Sequence, residues 1–214
     1  ESFSGQAAVM RGEEVQIFGA LALLQQTQSE LHDGPSEDQV LLCLPGTHSK
    51  WARIGKAQDK DAQVLDFSTQ MTGELYSLLD KYSILGCMSH AGEAKRVVNA
   101  EVFDQGVSNV QSSGGLLHQL FSARSNVLAG TLSSTEVGSY LSGLLVGTEV
   151  KTMLEVLPAT QSVYLVGNET LNVHYRHTLE KAGVNVRSIS GDQAAYMGMI
   201  AIAKQIGLII NEED

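Results

Sequence analysis

The sequence is poor in cysteine, proline and tryptophan, with 2, 3 and 1 of them among 214 residues. The two cysteines, Cys43 and Cys87, form no CxxC or His/Cys ligand pattern. We therefore expect neither a disulfide framework nor a zinc site, but two mostly buried free thiols in a reducing cytoplasm. Nor is there a segment rich in proline or glycine that would divide the chain into separate domains.

Basic residues are also scarce: 14 Lys and Arg stand against 24 Asp and Glu, for a net charge of −10. No basic stripe is present, which argues against a nucleic-acid-binding protein. An anionic ligand would have to be held locally by a turn, a helix N-terminus or a metal ion. No signal peptide is evident, and no apolar run is long enough to span a bilayer. We expect a soluble, cytoplasmic protein with no nucleic-acid or membrane partner.

The pattern of apolar residues predicts an α/β protein. After an acidic start at Glu13-Glu14 we expect a helix over 15–24, and then a meander of short strands at 39–44, 51–54 and 64–68. Helices are predicted from 72 to about 82, through most of 90–130, and from about 133 to 157. Thr72 is the expected N-cap of one of them, and Ser133 with Glu136 has the spacing of a capping box in another.

The last third is the most regular part of the sequence. Strands are predicted at 162–166 and 184–189, and helices at 171–182 and 193–206. This strand-helix-strand-helix order is typical of parallel strands in an α/β sheet. Neither GxGxxG nor GxxxxGK followed by Ser or Thr occurs, so neither a Rossmann fingerprint nor a P-loop is available.

Two predicted helix starts share one pattern, at 12–19 and at 191–198. Each begins with a glycine and an acidic residue and has a second glycine seven positions on, Gly19 and Gly198. A glycine inside a helix costs about 1 kcal/mol relative to alanine, so its recurrence indicates a close helix crossing. Two unrelated helix starts would look alike as well, and that reading stays open.

The stretch LPGTHSKW, residues 44–51, breaks an apolar run with a polar turn. It brings backbone N–H groups, two hydroxyls, an imidazole and an ammonium to one point, which suits a phosphate. The candidate ligands are Gly46, Thr47, His48, Ser49 and Lys50. The alternative is an ordinary hairpin whose polar residues only contact solvent.

Motifs along essentially the whole chain resemble the 2-dehydro-3-deoxygalactonokinase family, sugar-acid kinases of the actin-like, hexokinase-like ATPase superfamily. The segments that carry the resemblance are VMRGEEVQIFGA, LPGTHSKW, MTGEL, LFSARSNVLAGTL, YLSGLLVGTEV, VGNETL and SGDQAAYMGMIAIA. It implies an actin-like ATPase (ribonuclease H-like) domain with a mixed sheet flanked by helices. It also implies ATP and Mg²⁺ as cofactors, and ATP-dependent phosphorylation of 2-dehydro-3-deoxy-D-galactonate to its 6-phosphate.

The family's opening segment, an Asp-x-Gly-Ser/Thr turn that contacts phosphate and metal, does not occur in this sequence. By the resemblance we expect 1–25 to be a connecting helix region, 26–190 the nucleotide-side domain with a helical insertion, and 191–214 a returning connecting helix. With an active site between two domains, this chain alone should bind ATP weakly and phosphorylate at a negligible rate. The alternatives are a nucleotide-binding module without catalysis and an interaction domain without a ligand. A homodimer is kept as an option.

The resemblance also suggests roles for individual residues. The turn at 45–50 would bind the β- or γ-phosphate, with Lys50 neutralising it. Arg11, Glu13 and Glu14 are the catalytic candidates: the arginine could bind a sugar-acid carboxylate, and a glutamate could act as base or hold Mg²⁺ through water. The alternative for these three is an exposed, capped helix start.

A third cluster lies in the two predicted strand-turn-helix units near the C-terminus. Such turns, at the ends of parallel strands, bind nucleotides in many α/β proteins, although ordinary turn chemistry would also explain their residue types. The resemblance assigns the first of these turns to adenosine. The candidate ATP-binding residues are Gly167, Asn168, Thr170, Gly191 and Asp192. No residues are assigned to direct metal binding, because none of the histidines has ligand spacing.

Overall fold

The computed structural model describes Gly5 and residues 7–30, 39–56, 62–89, 98–112, 114–156 and 162–209. The chain divides into two compact units, one made of residues 1–69 and 159–214 and the other of residues 70–158. The end of the helix predicted from about 133 to 157 lies outside the described residues.

The first unit is a five-stranded sheet with helices. Its elements are α1 (Glu13–Glu30), β1 (Gln39–Leu44), β2 (Ser49–Lys56), β3 (Ala62–Gln70, ending at the unit boundary), β4 (Ser162–Gly167), α7 (Glu169–Lys181), β5 (Asn185–Ser190) and α8 (Gly191–Gln205). The strand order is β3-β2-β1-β4-β5. β1 runs antiparallel to β2 and parallel to β4, and β4 runs parallel to β5. The predicted α/β class, with a mixed sheet flanked by helices, is confirmed.

The core of this unit follows from the alternation of side chains along the strands. Leu42 and Leu44 of β1 face the same cluster as Tyr164 and Val166 of β4. Ile17 and Ala20 of α1 and Ala194 of α8 complete that cluster. Residues 41 to 44 of β1 are all buried. A continuous apolar strand of this kind is typical of a sheet whose two faces are both covered.

The crossing of α1 and α8 confirms the close contact predicted from the repeated glycine pattern. A Cβ on Gly19 would overlap the backbone carbonyl of Ala194, and a Cβ on Gly198 would overlap the backbone carbonyl of Val15. The two helices therefore meet backbone to backbone, which only glycine permits at these positions. Gln16 also donates a hydrogen bond from Nε2 to the Gly191 carbonyl, at 3.3 Å.

The second unit is helical where it is described. It contains α2 (Thr72–Tyr82), α3 (Ile84–Ser89), α4 (Ala100–Asn109), α5 (Gly115–Leu128), a short 3-10 helix (Ser134–Glu136) and α6 (Val137–Val156). α6 is apolar on most of its circumference, and Tyr140, Leu141 and Leu144 are almost fully buried in the core of this unit. The hydroxyl of Tyr140 is satisfied by Asn109 Nδ2 at 2.6 Å and by Ser122 Oγ at 2.8 Å.

Two capping predictions in this unit are wrong. The N-cap of α2 is Met71, and no side chain caps this helix start. The hydroxyl of Ser133 makes no cap bond and lies 2.9 Å from Thr135 Oγ1 instead. Glu136 accepts a hydrogen bond from Asn99 Nδ2 at 2.6 Å, so a partner distant in sequence has replaced the local one.

A third correction concerns the cysteines: Cys43 is buried as predicted, but Cys87 is exposed. Cys87 belongs to α3, a short helix of only six residues, Ile84–Ser89.

Within the described part of the chain, no helix is both long and apolar enough to cross a membrane.

Candidate functional site

The candidate site lies where three parallel strands end. β1, β4 and β5 run in the same direction, so Leu44, Gly167 and Ser190 all lie at one edge of the sheet. A Cβ built on Gly167 would lie 3.9 Å from the Pro45 carbonyl oxygen, which places the 45–50 turn beside the end of β4. The carboxyl edge of parallel strands is the usual ligand-binding edge of an α/β sheet. Two of the predicted clusters therefore meet at one edge.

The 45–50 turn has an exposed tip and a buried end. Thr47 and His48 are exposed, and Gly46 is half-buried. Ser49 and Lys50 are buried. The hydroxyl of Ser49 lies 3.2 Å from Tyr175 Oη of α7, on the inner side of the turn. The five predicted phosphate ligands thus separate into an outward set of three and an inward set of two.

Glu13 connects the start of α1 to this turn. Its Oε1 lies 3.3 Å from the Lys50 ammonium, and its Oε2 accepts a hydrogen bond from the Arg11 backbone N–H at 2.8 Å. Partial burial raises the pKa of Glu13, but the Arg11 N–H and the Lys50 ammonium outweigh it, so the pKa is lowered overall. Glu13 is therefore held as a carboxylate in which both oxygens have partners.

The neighbouring catalytic candidates are differently placed. Glu14 Oε2 accepts a hydrogen bond from the Gly12 backbone N–H at 2.7 Å. Among the described residues, Glu14 Oε1 has no hydrogen-bond partner. Arg11 is exposed. An exposed guanidinium three residues before a carboxylate can contact an acidic, hydroxylated substrate.

A pocket of about 580 Å³ lies beside the turn, between the starts of α7 and α8. Its lining residues come from the ends of β4 and β5 and from α1, α7 and α8: Gln16, Gly167, Asn168, Glu169, Asn172, Ser188, Ile189, Ser190, Gly191 and Asp192. Gly167 and Gly191 form its closest backbone approach, since a Cβ on Gly191 would lie 3.0 Å from the Gly167 Cα. The volume is within the range of small-molecule sites.

Local hydrogen bonds fix the rim of this pocket. Asn168 is the N-cap of α7, and its Oδ1 accepts from the Thr170 N–H at 2.7 Å. Ser190 is the N-cap of α8 and accepts from the Gln193 N–H at 3.4 Å. Of the five residues predicted here, Gly167, Asn168, Gly191 and Asp192 line the pocket, while Thr170 serves the cap.

Asn172 is the most unusual residue of the lining. It is 1% exposed, and its Oδ1 is buried without a hydrogen-bond partner among the described residues. A buried amide oxygen left unpaired costs on the order of 1–3 kcal/mol, so such an atom usually marks a place for a water or a ligand. It lies near Gly167, whose Cβ would be 3.6 Å away.

Sequence reasoning missed six lining residues: Gln16, Glu169, Asn172, Ser188, Ile189 and Ser190. Gln16 lies within the repeated glycine pattern, and Asn172 follows Asn168 by one helical turn, so the spacing carried a signal for both. Within the described ranges, no group of three or more His, Cys, Asp or Glu side chains is placed to hold a metal ion.

The model of the 2-keto-3-deoxy-galactonokinase family matches residues 2–202. The chain belongs to this family. It is 35% identical over 198 residues to the 2-dehydro-3-deoxygalactonokinase of Escherichia coli (strain K12), covering 92% of this chain and 60% of that protein. It is 37% identical over 201 residues to a Rhizobium meliloti (strain 1021) protein named "Probable 2-dehydro-3-deoxygalactonokinase DgoK1", with the same coverage.

The chain is also similar in structure to a Sinorhizobium meliloti protein whose crystal structure is described as that of a "putative 2-dehydro-3-deoxygalactonokinase protein". The TM-score is 0.78 at 33% identity, covering 94% of this chain and 62% of that one. The family resemblance found in the sequence motifs is thereby confirmed. The chain spans about 60% of the length of the curated relatives it matches.

Proposed function

We propose that this chain carries the nucleotide-binding part of a cytoplasmic kinase. The reaction would transfer the γ-phosphoryl group of ATP to the terminal hydroxyl of 2-dehydro-3-deoxy-D-galactonate. The observation that carries the proposal is the pocket at the carboxyl ends of β4 and β5, beside the exposed turn tip, in a chain of this family. The exposed thiol of Cys87 agrees with a reducing compartment.

The charges of the pocket favour one orientation of ATP. Glu169 and Asp192 line the pocket and would repel phosphate, whereas carboxylates accept hydrogen bonds from ribose hydroxyls. The turn tip, by contrast, offers backbone N–H groups and the side chains of Thr47 and His48. We therefore place the nucleoside in the pocket and the phosphates at the turn, which adjoins the pocket where Pro45 lies beside Gly167.

The catalytic candidates would act at the start of α1. Arg11, which is exposed, would bind the carboxylate of the sugar acid, and a glutamate there would take the proton of the attacking hydroxyl. Mg²⁺ would arrive bound to the ATP phosphates, because Mg²⁺ is commonly held by phosphates and waters with only one or two carboxylates. Glu14, with one unpartnered carboxylate oxygen, fits that supporting role or the role of base.

We further propose that α1 and α8 are the connecting helices of an actin-like ATPase, with 26–190 as the nucleotide-side domain and its helical insertion. The crossing at Gly19 and Gly198 supports this pairing. On this proposal the phosphates are contacted from a second domain as well, so the 214-residue chain by itself should bind ATP weakly. A homodimer stays a prediction.

Calorimetric titration of the purified chain with Mg·ATP, Mg·GTP and adenosine tests the proposal. Binding of ATP and of adenosine is expected, with adenosine retaining part of the affinity, and product formation from the keto-deoxy acid should be negligible. Absence of ATP binding would contradict the proposal. Full turnover by this chain would refute the need for a second domain, and binding by the complete family protein without turnover would favour a non-catalytic nucleotide module.

A further inference from the structure

Lys50 is a buried lysine with two defined partners. It is 4% exposed, and its ammonium lies 3.3 Å from Glu13 Oε1 and donates to the His48 carbonyl at 3.2 Å. An ammonium group is costly to bury unless it is paired and hydrogen-bonded, so these two contacts are what permit its position. The contact with Glu13 connects Lys50 to the start of α1, and the contact with the His48 carbonyl connects it to the turn.

The position of Lys50 does not suit direct phosphate binding. Its side chain is only 5% exposed, and two of the three ammonium donors already point to protein oxygens. The exposed part of the turn is at Thr47 and His48, three and two residues before Lys50. A phosphate at the tip would therefore meet the turn backbone and Thr47, while Lys50 lies behind it.

Glu13 is equally committed. Its second oxygen, Oε2, accepts a hydrogen bond from the Arg11 N–H at 2.8 Å, so both oxygens have partners that favour the anion. Its lowered pKa agrees with this, since a carboxylate stabilised as an anion is a weaker base. The charged group that contacts it is the Lys50 ammonium of the turn, and Arg11 and Glu14 are its charged neighbours on its own segment.

We propose that Lys50 is a positioning residue: through Glu13 and the His48 carbonyl it fastens the start of α1 to the phosphate turn. The pair sets the turn tip and the Arg11–Glu14 segment in one fixed arrangement. Glu14 is then the carboxylate that contacts the substrate. The inference rests on the proposed function only for the statement that the turn binds phosphate.

Single and double substitutions separate this role from phosphate binding. The variants are Lys50→Met, Glu13→Gln and the double substitution, with Lys204→Met and Glu180→Gln as controls on exposed residues of α8 and α7. The first measurement is the pKa of Glu13, from the pH dependence of its side-chain carboxyl resonance. In Lys50→Met we expect it to rise, because the nearby positive charge is lost.

Mg·ATP affinity is the second measurement. If Lys50 acts through Glu13, both single variants lose Mg·ATP affinity by similar factors. The double variant then binds Mg·ATP at least as tightly as the more impaired of the two single variants. The control variants should bind like the wild type. The double variant also serves as a control for unfolding, because removing both members of a buried pair leaves no unpaired charge that would destabilise the fold.

Two results would overturn the inference. One is an unchanged Glu13 pKa in Lys50→Met. The other is a large loss of ATP affinity in Lys50→Met with none in Glu13→Gln, which is the signature of a direct phosphate ligand. If the wild-type chain binds no ATP, the proposed function fails, but the Glu13 pKa still decides whether Lys50 holds Glu13.

Discussion

Gly198 of α8 faces Gly19 of α1 at the point where the two helices cross. A Cβ added to Gly198 would lie 3.1 Å from the Gly19 backbone nitrogen and would overlap the Val15 carbonyl. The crossing positions Gln16, which donates a hydrogen bond to the Gly191 carbonyl at the start of α8. The glycine pair therefore sets one wall of the candidate pocket.

Gly198→Ala should destabilise the protein. Helix propensity alone would make alanine more favourable by about 1 kcal/mol, but the steric overlap with backbone should cost more, about 1–3 kcal/mol net. Urea unfolding measures the change. Met199→Ala, on the exposed face of the same helix, is the control and should change the free energy of unfolding by less than about 0.5 kcal/mol. A stabilised Gly198→Ala variant would show that the helices are not in backbone contact.

Gly191→Ala should impair the pocket more than the fold. Its Cβ would come within 3.0 Å of the Gly167 Cα and 3.2 Å of Gln16 Nε2, so the pocket floor would have to shift. We expect a loss of ATP affinity of about tenfold, which corresponds to about 1.4 kcal/mol. Titration calorimetry measures it, with Val173→Ala on the exposed face of α7 as the control. Equal affinities for the two variants would argue against a nucleoside at this position.

Thr47→Ala tests the phosphate turn. A hydrogen bond from its hydroxyl to a charged phosphate oxygen is worth about 1.5–3 kcal/mol, so ATP affinity should fall by roughly tenfold or more while adenosine affinity stays constant. Thr152→Ala, on an exposed position of α6, is the matched control. Equal losses for ATP and adenosine in Thr47→Ala would place the phosphates elsewhere.

His174 of α7 should make stability sensitive to mild acid. Burial, and to a lesser extent the nearby His177, lower the pKa of His174 in the folded chain. The unfolded chain therefore binds its proton first as pH falls below about 6.5, and stability decreases from there until the folded-state pKa is passed. Urea unfolding at several pH values should show a flatter profile for His174→Gln than for the wild type. His177→Gln should change the profile less, because burial is the larger cause. Identical slopes for wild type and His174→Gln would contradict the assignment.

Much of the sheet could be predicted from the sequence because local patterns determine it. The apolar run ending at Leu44, the turn at Gly46, the apolar residues of β4 and the alternation in β5 each indicated a strand or its end. The glycine pair predicted the α1–α8 crossing because a glycine inside a helix has a cost that only close packing offsets. Asn168 and Ser190 cap helices through partners two and three residues away, which are local contacts as well.

What the sequence could not show was which polar groups face inward. Ser49 and Lys50 have the residue types of phosphate ligands, yet the first lies against Tyr175 and the second against Glu13, partners far away along the chain. Glu136 likewise bonds to Asn99 rather than to its own helix start. Asn172 could be recognised as a pocket residue only from the structure, in which the ends of β4 and β5 lie side by side. Such pairings depend on tertiary contacts, which local spacing does not encode.

The most direct test of the central claim is a titration of the isotope-labelled chain with Mg·ATP, followed by backbone amide resonances. The account predicts shifts concentrated at 46–48, 167–172 and 188–193, with α4 to α6 of the second unit unaffected. Adenosine should reproduce the shifts at 167–172 and 188–193 without those at 46–48. Shifts confined to the second unit, or none at saturating ATP, would contradict a nucleotide site at the ends of β1, β4 and β5.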